Sequence, residues 1–228
     1  MKMKKMPFII ALTLAVGVLS SCGPNEVKNQ AIEVNDQAIR LGNNGRAIVK
    51  SIIWENLCRE ALSMEPVWPN KSANFIKGQP AGSEYNPATS DEYFADLIAN
   101  EALDEITWSD FAGEGIPAAR NEEEFRAGGK NAWSCIVYPD ETLPDDMPFL
   151  FTKNLRITNE DLRNYNPEAP FTEKLDESVK PLRNQKVVIV TKSGSVKVLD
   201  AKDLQHAYYF FDSTSADIIR KATVVHPK

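Results

Sequence analysis

The stretch AIEVNDQAIRLGNNGRAIVKSIIWENLCREAL, from Ala31 to Leu62, carries the longest helical pattern in the chain. Apolar residues recur three or four positions apart at Ala31, Val34, Ala38 and Leu41, and we expect Ile48, Ile52, Leu57 and Ala61 to continue the same face. This spacing places them on one side of a helix and predicts an amphipathic helix that packs against a folded body. Pro66 and Pro69 follow, and we expect the helix to end before them because proline cannot continue a helix.

Two glycines, Gly42 and Gly45, interrupt the middle of this pattern. Together they cost about 2 kcal/mol of helix stability relative to alanine, so we predict a kink or a break at this point. The half after Gly45 has the wider apolar coverage and is predicted to be the packed half. The half before Gly42 is predicted to project as a spacer.

The composition is that of an ordinary globular domain. The 228 residues are 43% hydrophobic and 25% charged, which is enough to build one hydrophobic core. The net charge is −6, and Lys5 is followed by no cluster of basic residues. Nucleic acids and anionic lipid headgroups both require such clusters, so we do not expect either as a partner.

The first residues have the pattern of an export signal. A basic start with Lys2, Lys4 and Lys5 precedes an apolar run from Pro7 to Leu19, which is short for a membrane span. The run ends in Leu19-Ser20-Ser21-Cys22, which resembles the bacterial lipobox. The resemblance implies that Cys22 is lipidated and becomes the mature N-terminus. Gly23 replaces the aspartate that commonly retains lipoproteins at the inner membrane, which favours the outer membrane.

The remaining chain changes from helical to β-rich patterns. We predict a short helix after Thr89, strands within 132–138 and 149–152, and a hairpin of 186–191 with 196–199 around Gly194. A last strand is expected at 223–225. Separate helical and strand regions predict an α+β fold in which an antiparallel sheet buries one face against the long helix, with a loop-rich middle. The predicted organisation is a signal peptide at 1–22, a tether at 23–30 and one domain at 31–228.

Several segments, taken in order, resemble the head of a type IV pilin or a type II secretion pseudopilin. They are Asn43-Asn44-Gly45-Arg46, Val67-Trp68-Pro69, Thr89 to Phe94, Asn131-Ala132-Trp133, Pro148 to Leu155 and the hairpin at 186–199. The resemblance covers about residues 31–212. It implies a long helix packed on an antiparallel sheet, and protein partners in a pilus or secretion assembly.

The start of the chain departs from the pilin pattern. Pilins have a prepilin-peptidase site and a hydrophobic helix with an early glutamate, whereas Pro7 to Leu19 contains no glutamate and the lipobox takes the place of the peptidase site. A chain that loses its leader at Cys22 cannot polymerise through that helix. The resemblance therefore implies a pilin-like head on a lipid anchor.

Few residues are candidates for catalysis, cofactor binding or disulfide formation. The sequence contains no HExxH, GxSxG, P-loop or dinucleotide motif, and we expect no cofactor. The two histidines, His206 and His226, are expected to be ordinary surface residues, the second near a frayed end. Cys58 and Cys135 could pair as a disulfide in an oxidising compartment or remain two buried thiols.

One acidic turn is a weak candidate for calcium. It contains Asp140, Glu141, Asp145 and Asp146, and oxygen-rich loops can bind Ca²⁺. Their spacing matches no defined calcium loop, so a solvated acidic turn is the preferred interpretation.

These observations lead to a non-catalytic cell-envelope lipoprotein with a pilin-like head. Its expected role is structural or adhesive, in contact with a pilus or secretion assembly or with a host surface. Two alternatives remain open at this point: a small exported hydrolase that uses carboxylates, and a lipoprotein that binds a small ligand in an apolar pocket.

Overall fold

The computed structural model describes residues 24–64, 66–67, 76–79, 85–103, 105–138, 144–179, 182–212 and 214–228. The chain is an α+β protein with a long N-terminal helix and a five-stranded antiparallel sheet, as predicted. Across the described residues, none of the helices combines the length and the apolar character needed to cross a membrane.

Helix α1, Pro24–Ala61, is 38 residues long and continuous. It begins earlier than predicted, so positions 24–30 of the predicted tether are helical. Proline suits the first position of a helix, where its missing N–H has no partner to lose. The helix ends in a Schellman motif, in which the N–H groups of Ser63 and Met64 donate to the carbonyls of Glu60 and Arg59.

The predicted break at the glycines does not occur, because Gly42 and Gly45 lie where α1 crosses the sheet. A Cβ atom at Gly45 would lie 2.7 Å from both Trp133 Cη2 and Val190 Cγ2, and one at Gly42 would lie 2.7 Å from Val196 Cγ1. The absence of side chains lets the helix backbone approach the strands closely. The glycines therefore serve the packing of a continuous helix.

The sheet consists of β1 (Trp133–Val137), β2 (Pro148–Thr152), β3 (Lys186–Thr191), β4 (Val196–Asp200) and β5 (Thr223–Val225). Its strand order is β4-β3-β2-β1-β5, and every neighbouring pair is antiparallel. All five strands occur where the sequence pattern predicted them. The last strand returns beside the first, so the C-terminal segment is part of the sheet.

Two hydrophobic cores lie on opposite faces of the sheet. On one face, Trp133, Val188 and Val190 belong to a core that contains Ile48 and Ile52 of α1. The helices α2 (Ser90–Ala99) and α3 (Glu122–Ala127), together with the 3-10 helix Trp108–Phe111, complete this layer.

The second face is also covered, which the sequence interpretation did not include. Ile136, Phe151 and Ile189 project into a core shared with short helices from the C-terminal third of the chain. These helices are α4 (Asn159–Arg163), α5 (Tyr208–Phe211), α6 (Ala216–Lys221) and the 3-10 helices Thr172–Lys174 and Ala201–Gln205. The fold is thus a three-layer arrangement with the sheet in the middle.

Candidate functional site

Some of the site residues predicted from the sequence lie within the described part of the chain and others do not. Cys22 and the whole predicted signal peptide lie outside the described residues, so lipidation stays a prediction. Cys58 and Cys135 are both free thiols in this structure, and their pairing in an oxidising compartment stays a prediction. Cys135 is buried in β1, where burial raises the pKa of its thiol, whereas Cys58 is half-buried near the end of α1.

Half of the acidic turn lies outside the described residues, namely Asp140 and Glu141. Asp145 is exposed, Asp146 is half-buried, and the carbonyl of Asp145 accepts the N–H of Ser193 at 3.0 Å. Within the described ranges, no group of three histidine, cysteine or carboxylate side chains is placed to hold a metal ion. The four-carboxylate calcium site remains untested.

The two histidines differ sharply in environment. His206 is exposed and its Nδ1 lies 3.2 Å from the Glu168 carboxylate, in agreement with a surface residue. His226 is not at a frayed end. It follows β5 directly, and both of its ring nitrogens have partners inside the fold.

The ring of His226 bridges β1 and the segment before α4. Nδ1 lies 2.8 Å from Ser134 Oγ, and Nε2 lies 2.7 Å from the carbonyl oxygen of Ile157. A carbonyl can only accept, so Nε2 must carry the proton and Nδ1 accepts the serine hydroxyl. Burial lowers the pKa of His226 and favours this neutral form.

A second set of contacts secures the residues after His226. The backbone N–H of Lys228 donates to Asp91 Oδ2 at 2.8 Å, and its Nζ donates to the carbonyl of Arg126 at 2.7 Å. The N–H of Ser90 donates to the carbonyl of His226 at 3.0 Å. Asp91 is fully buried, and desolvation raises the pKa of its carboxyl despite the hydrogen bond from Lys228.

This polar cluster contains a serine and a histidine in hydrogen-bond contact, which is the first requirement of a nucleophile and base pair. Ser134, however, is fully buried within β1, and a backbone carbonyl occupies the far side of the imidazole. A substrate could not approach the hydroxyl without opening the sheet. The arrangement therefore acts as a clamp that holds the C-terminal segment against β1 and α2.

The buried His226 in this clamp makes the free energy of unfolding depend on pH. The unfolded His226 has a pKa near 6.5, and its folded pKa is lower, so its contribution is complete above pH 6.5 and is lost as the pH falls through the folded pKa. Each unit of the pKa difference is worth about 1.4 kcal/mol. We expect urea unfolding to show a lower free energy of unfolding at acidic pH than at neutral pH, with part of the decrease absent in His226→Gln.

His206→Gln is the matched control, because the His206 ring is exposed and its ion-pair partner, Glu168, is exposed too. It should keep the decrease in stability that His226→Gln removes. An acid-induced loss of stability that disappears in His206→Gln and persists in His226→Gln would contradict the assignment.

The surface of α1 offers a different kind of site. Trp54 and Leu57 are 62% and 53% exposed, and beyond the helix Leu62 and Met64 are 71% and 47% exposed. We call these four residues the apolar ridge. Trp54 and Leu57 lie on the side of α1 opposite the buried Ile48 and Ile52.

Two open grooves run along the sides of this ridge. One, of about 650 Å³, is lined by Trp54 together with Lys50, Glu105 and Asp110. The other, of about 510 Å³, is lined by Leu57 and further residues of α1 and of the neighbouring loops, namely Ile53, Asn56, Glu60, Asp145, Lys192 and Ser193. Trp54 therefore lines one groove and Leu57 the other, and each lies beside charged side chains.

The sequence interpretation missed the ridge because it assigned Leu57 and Ala61 to the packed face. The sequence does contain a signal for the ridge, namely the angular position of each residue around the helix axis. At 100° per residue, Ile48 and Ile52 share one face, while Trp54, Leu57 and Ala61 share a face roughly opposite to it. The C-terminal half of α1 is apolar on both sides, and only one side meets the sheet.

A second exposed apolar patch lies with the other layer of the fold. Tyr208 and Tyr209, at the start of α5, are 46% and 52% exposed, with their ring centroids 5.8 Å apart. The neighbouring charged groups are engaged with each other, since Lys197 contacts Asp212 at 2.5 Å. This patch contains aromatic residues alone, whereas the apolar ridge combines an aromatic side chain with aliphatic ones.

The comparisons with known proteins leave the class of protein to be argued from the fold and its surface. No family model, curated protein or solved structure matches the chain. The molecule is defined by its α+β architecture, its continuous N-terminal helix and the exposed apolar ridge at the C-terminal end of that helix.

Proposed function

We propose that this protein is a non-catalytic lipoprotein of the cell envelope, anchored in the outer membrane through a lipid on Cys22. Its folded head has a structural or adhesive role as a protein-binding partner of a pilus or a type II secretion-like assembly. The observation that supports this most directly is α1. It begins at Pro24, two positions after Cys22, and continues without a break into the folded body.

The first part of α1 has the geometry of a stalk. Ile32 is 59% exposed, and among the described side chains from position 31 onward the first fully buried ones are Gln37 and Ala38. The helical residues before Val34, which packs against the core, span about 15 Å at 1.5 Å per residue. A head on such a stalk stands away from the membrane surface with its apolar ridge accessible, which suits contact with a protein partner.

The hydrolase is the second candidate, because Glu105 and Asp110 line the same groove. Glycoside hydrolysis requires two free carboxyl groups, one of them as general acid. Asp110 Oδ2 already accepts hydrogen bonds from the Thr107 N–H and hydroxyl at 2.8 and 2.9 Å. This engagement favours a structural role for Asp110, as the third residue of the capping box that Thr107 begins. The binding role is therefore preferred.

The ligand-binding alternative has its own groove, of about 450 Å³, between α1 and residues 112–118. Gln37 lines it and donates to the Glu114 carboxylate across it. The groove is open to solvent rather than enclosed, unlike the pockets that bury most of a small ligand. It gives less support to ligand transport than the ridge gives to protein binding.

Lipidation is tested by intact-mass analysis of the protein isolated from membranes. We expect a mature chain that begins at an acylated Cys22, and a Cys22→Ser variant that is released from the membrane fraction. Cys58→Ser is the control, since it removes a free thiol and should leave the protein membrane-bound. Recovery of the peptide Pro7–Leu19 in the mature protein would contradict the anchor.

The role itself is tested in the producing cell by deletion and complementation. We expect loss of the protein to reduce surface piliation, protein secretion or adhesion, and we expect restoration by the wild-type chain and by Cys58→Ser. Normal piliation, secretion and adhesion in the deletion strain would contradict the proposed role.

A further inference from the structure

The apolar ridge is unusual for the surface of an acidic soluble head. Four large apolar side chains, Trp54, Leu57, Leu62 and Met64, are each about half exposed or more within eleven positions. Isolated exposed apolar residues need no explanation, but an apolar patch rimmed by polar groups marks a contact surface. Trp54 and Leu57 are neighbours on one face of α1 and each lies beside charged groups. The ridge also contains tryptophan, which is enriched among residues that dominate binding energy.

The rim of the ridge contains more negative than positive charge. The two flanking grooves contribute four carboxylates, Glu60, Glu105, Asp110 and Asp145, and two ammonium groups, Lys50 and Lys192. The excess of negative charge has the same sign as the net charge of the chain, −6. Complementary charge steers association and selects among partners, so the rim favours a cationic occupant.

This charge argues against two other occupants. In a symmetric dimer the same surface would meet itself, and its acidic rims would face each other. An anionic lipid surface or a nucleic acid would be repelled for the same reason. A glycan would use Trp54 for stacking, but it would leave the aliphatic Leu57, Leu62 and Met64 without a complementary surface.

We propose that the apolar ridge binds a basic amphipathic segment of another protein. Apolar side chains of that segment contact Trp54 and Leu57, and its lysine or arginine side chains reach the carboxylates of the two grooves. Helices recognised in this way present apolar residues at helical spacing. The inference deepens the proposed function, on which it rests, by naming the surface of the head and the chemistry of its partner.

The test uses the purified protein and a labelled synthetic leucine–lysine amphipathic helix of about five turns, with fluorescence anisotropy as the readout. We expect the double variant Trp54→Ala/Leu57→Ser to bind about tenfold more weakly than the wild-type protein. A leucine–glutamine helix of the same pattern should bind weakly to the wild-type protein. Glu60→Gln/Asp145→Asn should reduce both the affinity and its dependence on salt.

Ile39→Ser is the matched control, because Ile39 is exposed to the extent of 59% on the same helix but lies outside the ridge. It should bind like the wild-type protein. Thermal unfolding of each variant checks that the fold is retained.

Several results would overturn the proposal. One is that Ile39→Ser weakens peptide binding as much as the ridge variant does. Another is that the leucine–glutamine helix binds the wild-type protein as tightly as the leucine–lysine helix. A third is a wild-type dimer in light scattering that the ridge variant abolishes. Binding of a glycan that is lost in Trp54→Ala would also overturn it. So would peptide binding that appears only when residues 68–75 are replaced, because that segment of the same chain would then be the occupant of the ridge. The peptide test is independent of Cys22, so its failure is distinguishable from failure of the lipid anchor.

Discussion

Ile52→Asp should prevent the head from folding. Ile52 is fully buried on the face of α1 that packs on the sheet, in the same core as Val188 and Val190. An unpaired carboxylate at this position would have to be desolvated or protonated, and the core would lose an aliphatic side chain. The expected loss exceeds about 4 kcal/mol, a large part of the 5–15 kcal/mol that stabilises a typical domain.

The same substitution elsewhere on α1 separates burial from helix propensity. Ile39→Asp introduces the same side chain into the same helix at an exposed position, and we expect a change within about 0.5 kcal/mol. Val34→Asp should be intermediate, at about 1 kcal/mol, because Val34 is half-buried against the core. Circular dichroism and urea unfolding measure all three. Equal destabilisation at 34, 39 and 52 would mean that the packed face of α1 is misassigned.

The sheet was predictable from sequence because its strands carry strong local signals. The segment 186–191 is β-branched and apolar, Gly194 turns the chain, and 196–199 completes the hairpin. The short last strand, 223–225, was also predicted, but not its partner. Pairing of β5 with β1 joins the end of the described chain to its middle, and local patterns contain no information about such distant pairing.

The sequence does not predict that the residues of the polar clamp come together. Ser134, His226 and Asp91 are far apart in sequence, and none belongs to a recognisable motif. Serine at position 134 lies within a strand of otherwise apolar residues, which was the one local sign of a buried polar partner. Its partner became identifiable only when β5 placed His226 beside it.

Residues of the apolar ridge were visible in sequence, but their exposure was not. An apolar residue on a helix is usually buried, and Leu57 was assigned to the packed face on that ground. Exposure depends on how far the sheet extends under α1, which tertiary structure alone determines. The second half of α1 therefore has one packed face and one open face, whereas the sequence pattern predicts a wholly packed half.

The glycines of α1 provide the second large effect, and a matched pair of substitutions. Both Gly42→Ala and Gly45→Ala should increase helix propensity by about 1 kcal/mol. At Gly45 the new methyl group would collide with Trp133 and Val190, which are both fully buried and cannot move away. Overpacking of this kind costs about 1–3 kcal/mol, so Gly45→Ala should be destabilising on balance, and Gly45→Leu should lose more than about 4 kcal/mol.

At Gly42 the nearest atom belongs to Val196, a half-buried side chain on the edge strand β4 that can rotate or shift. Gly42→Ala should therefore leave the free energy of unfolding unchanged or raise it by up to about 1 kcal/mol. Urea unfolding of the two alanine variants measures the difference directly, because the propensity contribution is common to both. A stabilising Gly45→Ala would show that α1 is not held against Trp133 as closely as the structure places it. A shared loss at both positions would instead indicate that the glycines provide a bend that alanine removes.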